Sequence, residues 1–152
     1  MEQPAGNKIT GNPSSHPALS VKWVEDFPDI PLNRNEAYKL RVTSKGVEIE
    51  AITETGVYRA IQTLRQLTEK KGNGIAITGC EITDWPAFRI RGFMQDVGRT
   101  YISTDELKRE IAILARYKIN VFHWHLTENQ AWRLQSKVFP MLNDSVNTTR
   151  QP

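Results

Sequence analysis

The chain has 152 residues, enough for one ordinary domain or two small ones. Its 39% hydrophobic and 24% charged residues are typical of a globular protein. The net charge of +3 is interspersed rather than gathered in a basic block, which argues against nucleic acid as a partner. No apolar run is long enough to span a bilayer, and Cys80, the single cysteine, excludes an intrachain disulfide.

The first part of the sequence predicts strands. Residues 1–18 are rich in Pro, Gly, Ser and Asn and predict a flexible arm. A first strand is predicted in SVKWVEDF, and AYKLRVTSKGVEIEAI predicts two alternating strands. We expect a two-residue turn at Lys45-Gly46, where glycine suits positive φ.

This turn would set the register of the hairpin. It pairs Val42 with Ile49 on the inner face and Arg41 with Glu50 on the outer face. A three-residue turn would place a charged side chain opposite an apolar one, so the parity of the two faces favours the shorter turn.

A helix and one more strand complete the predicted first domain. ETGVYRAIQTLRQLTEKKG has a period near 3.6 and predicts a helix that stops at Lys70, Lys71 and Gly72. GIAITGCEITD predicts a single strand. Strands covered on one face by a helix indicate a small α+β domain over residues 19–87. The apolar stripe of the helix is Val57, Ile61, Leu64 and Leu67.

From residue 88 the pattern changes to a β-α-β unit. IRGFMQDVGR and INVFHWHLT predict two strands, and STDELKREIAILARYK predicts the helix between them. Ser103 and Glu106 fit a capping box at its start. Strands joined by a crossover helix are parallel, so both should end at the same edge of the sheet. The apolar face of the helix is Leu107, Ile111, Leu114 and Ala115.

Polar side chains gather at this predicted edge. His123 and His125 share one face of the second strand, whereas Trp124 lies on the opposite, apolar face and is expected in the core. Parallel α/β folds place their active sites at the carboxyl ends of strands. The residues expected to converge at this edge as a candidate site are therefore Asp96, Arg99, His123, His125 and Glu128.

Two other interpretations of these residues remain open. Buried Asp and His side chains often satisfy each other's hydrogen bonds in a core without any binding role. His-x-His followed by Glu128 is also a pattern that can ligate zinc, which would indicate a metal-dependent hydrolase. The clustering of ionisable groups at two adjacent strand ends favours a functional site over a purely structural cluster.

The second half of the chain resembles the opening of a known catalytic barrel. RG followed by DVGR, then KINVFHWHLT, Q-x-W-R and the FP at Phe139-Pro140 occur in an order that resembles glycoside hydrolase family 20, the β-N-acetylhexosaminidases. EAYKLRVTSKGVEIEAITETGVYRAIQTLRQL is similar to the α+β domain that precedes that barrel. The resemblance covers residues 21–142.

The resemblance implies a fold, a reaction and roles for the candidate residues. The expected fold is an α+β accessory domain followed by the truncated start of an α/β (TIM) barrel, which occupies residues 88–152. Arg99 would bind sugar hydroxyls, and His123, His125 and Glu128 would form the floor and wall of the sugar pocket. The family sequence D-D-Q or D-E-Q is replaced here by Glu128, Asn129 and Gln130.

The catalytic pair of the family is missing from this chain. The family cleaves with an Asp-Glu pair in an H-x-G-x-D-E segment, where the Asp orients the substrate acetamide and the Glu is the general acid. The only Asp-Glu dipeptide here, Asp105–Glu106, is a helix-start signal. A (β/α)₈ barrel needs about 250 residues, so we expect an N-terminal fragment that is inactive alone.

The remaining expectations concern partners and location. The resemblance implies no metal or organic cofactor, and a full-length parent that acts on glycans ending in N-acetylhexosamine. A non-catalytic carbohydrate-binding or interaction module is the alternative. Family members are commonly exported, so a periplasmic or extracellular location is expected. The cut barrel exposes strand edges through which the fragment is expected to self-associate.

Overall fold

The computed structural model describes residues 8–9, 18–129 and 131–143 and divides into two compact units, residues 1–89 and 90–152. The first unit comprises β1 (Lys8–Ile9), β2 (Ala18–Trp23), β3 (Tyr38–Thr43), β4 (Gly46–Ala51), α1 (Glu54–Gln66), β5 (Thr68–Lys71), β6 (Gly74–Thr78) and β7 (Cys80–Asp84). The second comprises β8 (Gly92–Asp96), α2 (Thr104–Arg116), β9 (Val121–His125), β10 (Thr127–Glu128) and β11 (Ala131–Trp132). Single 3₁₀ turns occur at Arg34–Glu36 and Pro140–Asn143.

The predicted arm over residues 1–18 lies mostly outside the described residues. Its described parts, Lys8–Ile9 and Ala18, belong to β1 and β2. Neither helix of the described chain is long and apolar enough to cross a membrane.

The first unit contains a four-stranded sheet in the order β2-β4-β3-β7. β2 is parallel to β4, and the other neighbours are antiparallel. The predicted β3–β4 hairpin is confirmed, but its register is wrong by two residues. Val42 pairs with Val47 rather than Ile49, and Arg41 pairs with Glu48 rather than Glu50.

The turn of this hairpin explains the shifted register. Thr43 pairs with Gly46, so the turn residues are Ser44 and Lys45 rather than Lys45 and Gly46. The hydroxyl of Thr43 accepts a hydrogen bond from the Lys45 amide at 3.2 Å and donates to the Gly46 carbonyl at 3.3 Å, which closes the turn locally. Gly46 does have a positive φ of 149°, as its residue type suggested. A slip of two residues preserves which face each side chain occupies, so the inner face stays apolar.

Helix α1 covers that inner face. It starts after Thr53, whose hydroxyl accepts a hydrogen bond from the Gly56 amide at 3.3 Å. The predicted stripe of Val57, Ile61, Leu64 and Leu67 packs on a core cluster, which confirms its orientation. Full burial of such a side chain is worth about 1.5–3 kcal/mol, and these partly buried side chains contribute a fraction of that value. The buried cluster consists of Tyr38, Leu40, Val42, Val47, Ile49 and Ala60.

The predicted end of this helix is wrong. α1 ends at Gln66, and the Thr68 hydroxyl donates to the Leu64 carbonyl at 2.9 Å where the helix stops. The segment TEKK forms β5, which pairs antiparallel with β6 across a turn in which Gly72 has φ 58°. Lysines followed by glycine therefore mark a hairpin here and not a helix terminus, because glycine at positive φ serves both structures.

The predicted strand GIAITGCEITD is two strands. β6 belongs to a three-stranded sheet in the order β1-β6-β5, whereas β7 pairs with β3 in the larger sheet. The chain changes sheets at Gly79, between the two strands. On β3, the buried Tyr38 hydroxyl donates to the Asp84 carboxylate of β7 at 2.8 Å and lies 2.5 Å from the Thr63 hydroxyl of α1. Because β7 pairs with β3 and β6 pairs with β1 and β5, the two strands belong to different sheets.

The second unit contains the predicted β-α-β arrangement. β8 and β9 are parallel. The capping box at the start of α2 is complete, because the Ser103 side chain accepts a hydrogen bond from the Glu106 amide and the Glu106 side chain accepts one from the Ser103 amide. Its buried hydrophobic residues are Val97, Leu107 and Ala131. Two expectations of burial are wrong.

Ile111 on the predicted apolar face is 45% exposed, and Trp124, predicted in the core, is 44% exposed. Within the described part of this unit, α2, the β8–β9 pair and the short β10–β11 hairpin do not supply enough neighbours to cover them.

Gly56 offers a test of the helix–sheet packing in the first unit. A Cβ at this position would lie 2.5 Å from the Ala37 carbonyl oxygen and 3.1 Å from the Ala51 Cβ. We expect Gly56→Ala to reduce the free energy of unfolding by about 2 kcal/mol, because overpacking of about 3 kcal/mol outweighs a helix-propensity gain of about 1 kcal/mol.

Native-state hydrogen exchange of the slowest β3 and β4 amides measures this loss. Gly74→Ala is the matched control, since its nearest atom, the Lys71 carbonyl oxygen, is 3.8 Å away. Equal protection in both variants would contradict the packing described for α1.

Candidate functional site

The register of β8 and β9 aligns the candidate residues at one end of the parallel pair. Asp96 is directly opposite His125, and Met94 is opposite His123. The ladder extends one residue further, where the Val97 amide donates to the His125 carbonyl at 3.0 Å. Both strands end at this edge, so the loops that follow them are held close together.

The loop after β8 is organised by the Asp96 carboxylate. One oxygen, Oδ1, accepts hydrogen bonds from the amides of Gly98 at 2.9 Å and Arg99 at 3.0 Å. The other oxygen, Oδ2, accepts from the Arg99 Nε and forms an ion pair with it. The Asp96 side chain is 17% exposed, whereas that of Arg99 is 53% exposed. Asp96 thus fixes both the backbone and the guanidinium of Arg99 while leaving that side chain accessible.

These contacts lower the pKa of Asp96 below the ordinary value of 3.8. The largest cause is the hydrogen bond from the Arg99 amide, followed by the hydrogen bond and charge of the Arg99 guanidinium and then the Gly98 amide. Partial burial acts in the opposite direction. Each donor stabilises the ionised form of the carboxyl group.

His125 lies between two carboxylates. Its Nε2 is 2.7 Å from the Thr127 carbonyl oxygen, which can only accept, so this nitrogen carries a proton. Nε2 is also 3.4 Å from Glu128 Oε2, and Nδ1 is 3.8 Å from Asp96 Oδ2. The imidazole therefore joins the end of β8 to the short segment that follows β9.

That segment is a hairpin that the sequence did not indicate. β10 and β11 pair antiparallel, with Glu128 opposite Ala131. A Cβ built at Gly98 would lie 3.0 Å from the Glu128 Cβ, so the hairpin closely approaches the loop after β8. The Arg133 Nε donates to the Val97 carbonyl at 2.9 Å. The Q-x-W-R motif was the only sequence signal in the region of this hairpin, and the motif alone did not indicate which residues Arg133 contacts.

The structure brings four of the five candidate residues together and places the fifth beside them. Asp96, Arg99, His125 and Glu128 are connected by the contacts above. His123 is exposed, and its ring centroid is 6.3 Å from that of His125. Within the described ranges, His123 has neither a hydrogen bond nor an ion pair.

The arrangement offers hydrogen-bonding groups rather than a metal cage. No group of three or more His, Cys, Asp or Glu side chains among the described residues is placed to hold a metal ion. Asp96 approaches Nδ1 of His125 and Glu128 approaches Nε2. A guanidinium, an imidazole and two carboxylates side by side can donate to and accept from a polyhydroxylated ligand.

Polar side chains at the carboxyl ends of parallel strands are typical of active sites in α/β folds, and this β-α-β unit follows an α+β unit in the chain. Residues 4–85 match the profile "Glycosyl hydrolase family 20, domain 2", and residues 88–152 match "Glycosyl hydrolase family 20, catalytic domain". The chain belongs to glycoside hydrolase family 20.

The relatives of the chain are longer hexosaminidases. It is 42% identical over 156 aligned positions to a β-hexosaminidase of Porphyromonas gingivalis, covering 98% of this chain and 18% of the relative. It is 39% identical to a β-N-acetylhexosaminidase of Cellulomonas fimi, covering 82% of this chain and 25% of the relative. The chain therefore spans about a fifth to a quarter of the length of these relatives.

Solved structures give the same result. The β-N-acetylhexosaminidase of Bacteroides fragilis superposes with a TM-score of 0.71 at 37% identity, covering 80% of this chain and 24% of that one. An exo-β-N-acetylglucosaminidase of Vibrio harveyi, solved in complex with N-acetylglucosamine, superposes with a TM-score of 0.70 at 36% identity. The match covers 82% of this chain and 18% of that one. These similarities identify an accessory domain followed by the start of a catalytic domain.

The depressed pKa of Asp96 makes a pH-dependent prediction. A carboxyl group with a lowered pKa stabilises the fold above its unfolded pKa, and that contribution is lost as the pH falls through the folded value. We expect the Asp96 carboxyl carbon to titrate below pH 3.8 in a ¹³C NMR titration, so that the pair with Arg99 persists at pH 3.8.

Two variants separate the causes of this shift. Arg99→Ala should raise the pKa of Asp96, because the guanidinium is lost while the backbone amide remains. Arg109→Ala, which removes an exposed arginine of α2, should leave the pKa unchanged. Titration of Asp96 at or above 3.8 in the unsubstituted chain would contradict the contacts described.

Proposed function

We propose that this chain is the N-terminal part of a β-N-acetylhexosaminidase that hydrolyses terminal β-linked GlcNAc or GalNAc from glycans. The observation that carries the proposal is the cluster of Asp96, Arg99, His125 and Glu128 inside the segment that matches the family's catalytic domain. The hexosaminidases to which the chain is similar support the same reaction class.

Arg99 is the proposed anchor for the sugar. Its Nε is engaged by Asp96, and its side chain is 53% exposed, which leaves it accessible to a ligand. Two parallel donors in a fixed plane suit neighbouring hydroxyl groups of a pyranose. Asp96 holds this fork in place and carries the balancing negative charge.

The remaining candidates would form the floor and wall of the same pocket. His125 is oriented by the Thr127 carbonyl and Glu128 approaches the same ring nitrogen, which ties the wall to the end of β9. Glu128 replaces the aspartate expected at this position of the family and reaches about one methylene further. His123, exposed on the same strand face, would contribute to the floor.

The bond-breaking groups would lie outside this chain. We propose that β8, α2 and β9 are the first elements of a (β/α)₈ barrel and that a later strand supplies the Asp-Glu pair. The reaction would proceed with retention of configuration, with the substrate acetamide as nucleophile, as in the substrate-assisted glycosidases. The 152-residue chain alone would then be inactive.

Kinetics on an aryl N-acetyl-β-glucosaminide test the proposal. The complete polypeptide of the parent gene should hydrolyse it, and the 152-residue chain should not, because general acid catalysis alone contributes about 10²–10⁴-fold. In the complete polypeptide, Arg99→Ala should reduce kcat/KM by about 10- to 150-fold, since a hydrogen bond to a charged group is worth about 1.5–3 kcal/mol.

Controls distinguish the possible failures. Arg109→Ala, a charge loss on the exposed surface of α2, should retain the kinetics of the parent. A parent that binds N-acetylglucosamine without turnover would indicate a non-catalytic carbohydrate-binding module. Robust turnover by the 152-residue chain, or unchanged kinetics after Arg99→Ala, would refute the corresponding part of the proposal.

We also propose that the isolated 152-residue chain self-associates through its second unit. β8 and β9 form a two-stranded sheet, and a two-stranded sheet is marginal without further packing. Phe93, Met94, Val121 and Trp124 on these strands are between 38% and 50% exposed. Exposed apolar strands promote pairing between copies.

Light scattering at several concentrations should give a mass above the 17.4 kDa of the chain, rising with concentration. Trp124→Lys should reduce the association by placing a charge on the strand, whereas Tyr58→Lys, a similarly exposed aromatic on α1, should not. A mass of 17.4 kDa throughout, with protected amides over residues 93–127, would overturn this part of the proposal.

A further inference from the structure

Arg133 connects the two loops that carry the candidate site. It follows β11 directly, and its amide donates to the Leu126 carbonyl at 2.9 Å, which fixes it to the end of β9. Its Nε donates to the Val97 carbonyl at 2.9 Å. Its guanidinium carbon lies 5.6 Å from the centroid of the Tyr101 ring, within range of a cation–π contact.

These contacts reach both sides of Arg99. Val97 is 3% exposed and lies two residues before Arg99, and Tyr101 lies two residues after it. Arg133 therefore holds the loop at its buried start and at its exposed end. The contact between Arg133 and Val97 joins residues 36 positions apart, unlike the local contact between Asp96 and Arg99.

The local contact alone does not place Arg99 relative to the hairpin. Asp96 sets the conformation of the loop, whereas Glu128 belongs to β10 of the hairpin that follows β9. The backbone of the loop and the hairpin approach closely at Gly98, where an added Cβ would lie 3.0 Å from the Glu128 Cβ. His125 connects this hairpin to Asp96 at the end of β8, and Arg133 connects it to Val97 and Tyr101 on either side of Arg99.

We propose that Arg133 is a positioning residue that fixes Arg99 and Glu128 at the separation needed for binding the sugar. It acts through Val97 and Tyr101 and does not itself touch the substrate. This inference rests on the proposed function, because it assigns a consequence in sugar binding to a contact seen within the protein.

Steady-state kinetics of the complete polypeptide test the consequence. Arg133→Ala should raise KM for the aryl N-acetyl-β-glucosaminide about 10-fold, while kcat changes less than about 3-fold. Arg133→Lys should recover part of the loss, because it keeps a cation near Tyr101 and a donor within reach of the Val97 carbonyl. Arg109→Ala is the matched control and should retain the KM of the parent.

A double-mutant cycle separates positioning from a general effect on folding. If Arg133 acts through Arg99, the double variant Arg99→Ala/Arg133→Ala should bind only slightly more weakly than Arg99→Ala, so the two effects are strongly non-additive. Fully additive effects on KM, or an unchanged KM in Arg133→Ala, would overturn the proposal.

Hydrogen exchange provides a readout that does not depend on activity. In Arg133→Ala the amides of Gly98 and Arg99 should exchange about 10-fold faster, because the loop that presents them loses its long-range attachment. Unchanged exchange would overturn the positioning role even if the polypeptide hydrolyses hexosaminides. Faster exchange without any hydrolysis by the unsubstituted polypeptide would instead reject the proposed function and the role in sugar binding, leaving a structural link.

Discussion

The Asp96 carboxylate is the group on which the arrangement of the site depends. It ends β8, accepts hydrogen bonds from the next loop through two amides, and holds the Arg99 guanidinium with its second oxygen. The two backbone amides and the Arg99 Nε together compensate the negative charge of this partly buried carboxylate. The same hydrogen bonds fix the turn that follows the strand. Without this group, Arg99 would be a long side chain on an exposed loop, and His125 would lose the acidic neighbour opposite it in the ladder. A single residue therefore organises both the path of the chain after β8 and the charge pairing around Arg99 and His125.

Much of this could be predicted from the sequence because strands have a side-chain period of two. Parity alone places His123 and His125 on one face, and a crossover helix requires β8 and β9 to be parallel, which brings Asp96 to the same edge. Parity does not determine register, however, because a shift of two residues leaves every side chain on its face. The β3–β4 hairpin illustrates the ambiguity, since the hydroxyl of Thr43 closes a turn one residue earlier than glycine preference suggests.

The features that the sequence did not predict depend on partners distant in the chain. The hairpin of β10 and β11 has two residues in each strand, too few for any periodicity, and it is held by contacts with the loop after β8. The stop signal at Lys70 to Gly72 suited a helix end as well as a hairpin, and the strand pairing of β5 with β6 decided between them. Trp124 shows a related limit: an apolar pattern identifies which face avoids water but not whether a neighbour is present to cover it.

The two units differ in what maintains their structure. The first has a closed apolar core between α1 and the sheet, whereas the described part of the second buries few apolar side chains and depends more on polar contacts. The contacts of Asp96 with Gly98 and Arg99 span two and three residues, so closing them costs little chain entropy. The contact of Arg133 with Val97 spans 36 residues, so it requires the ends of β8 and β9 to be brought together across the intervening chain. The conformation of Arg99 is thus encoded locally, while its distance from Glu128 depends on the folding of the whole β-α-β unit.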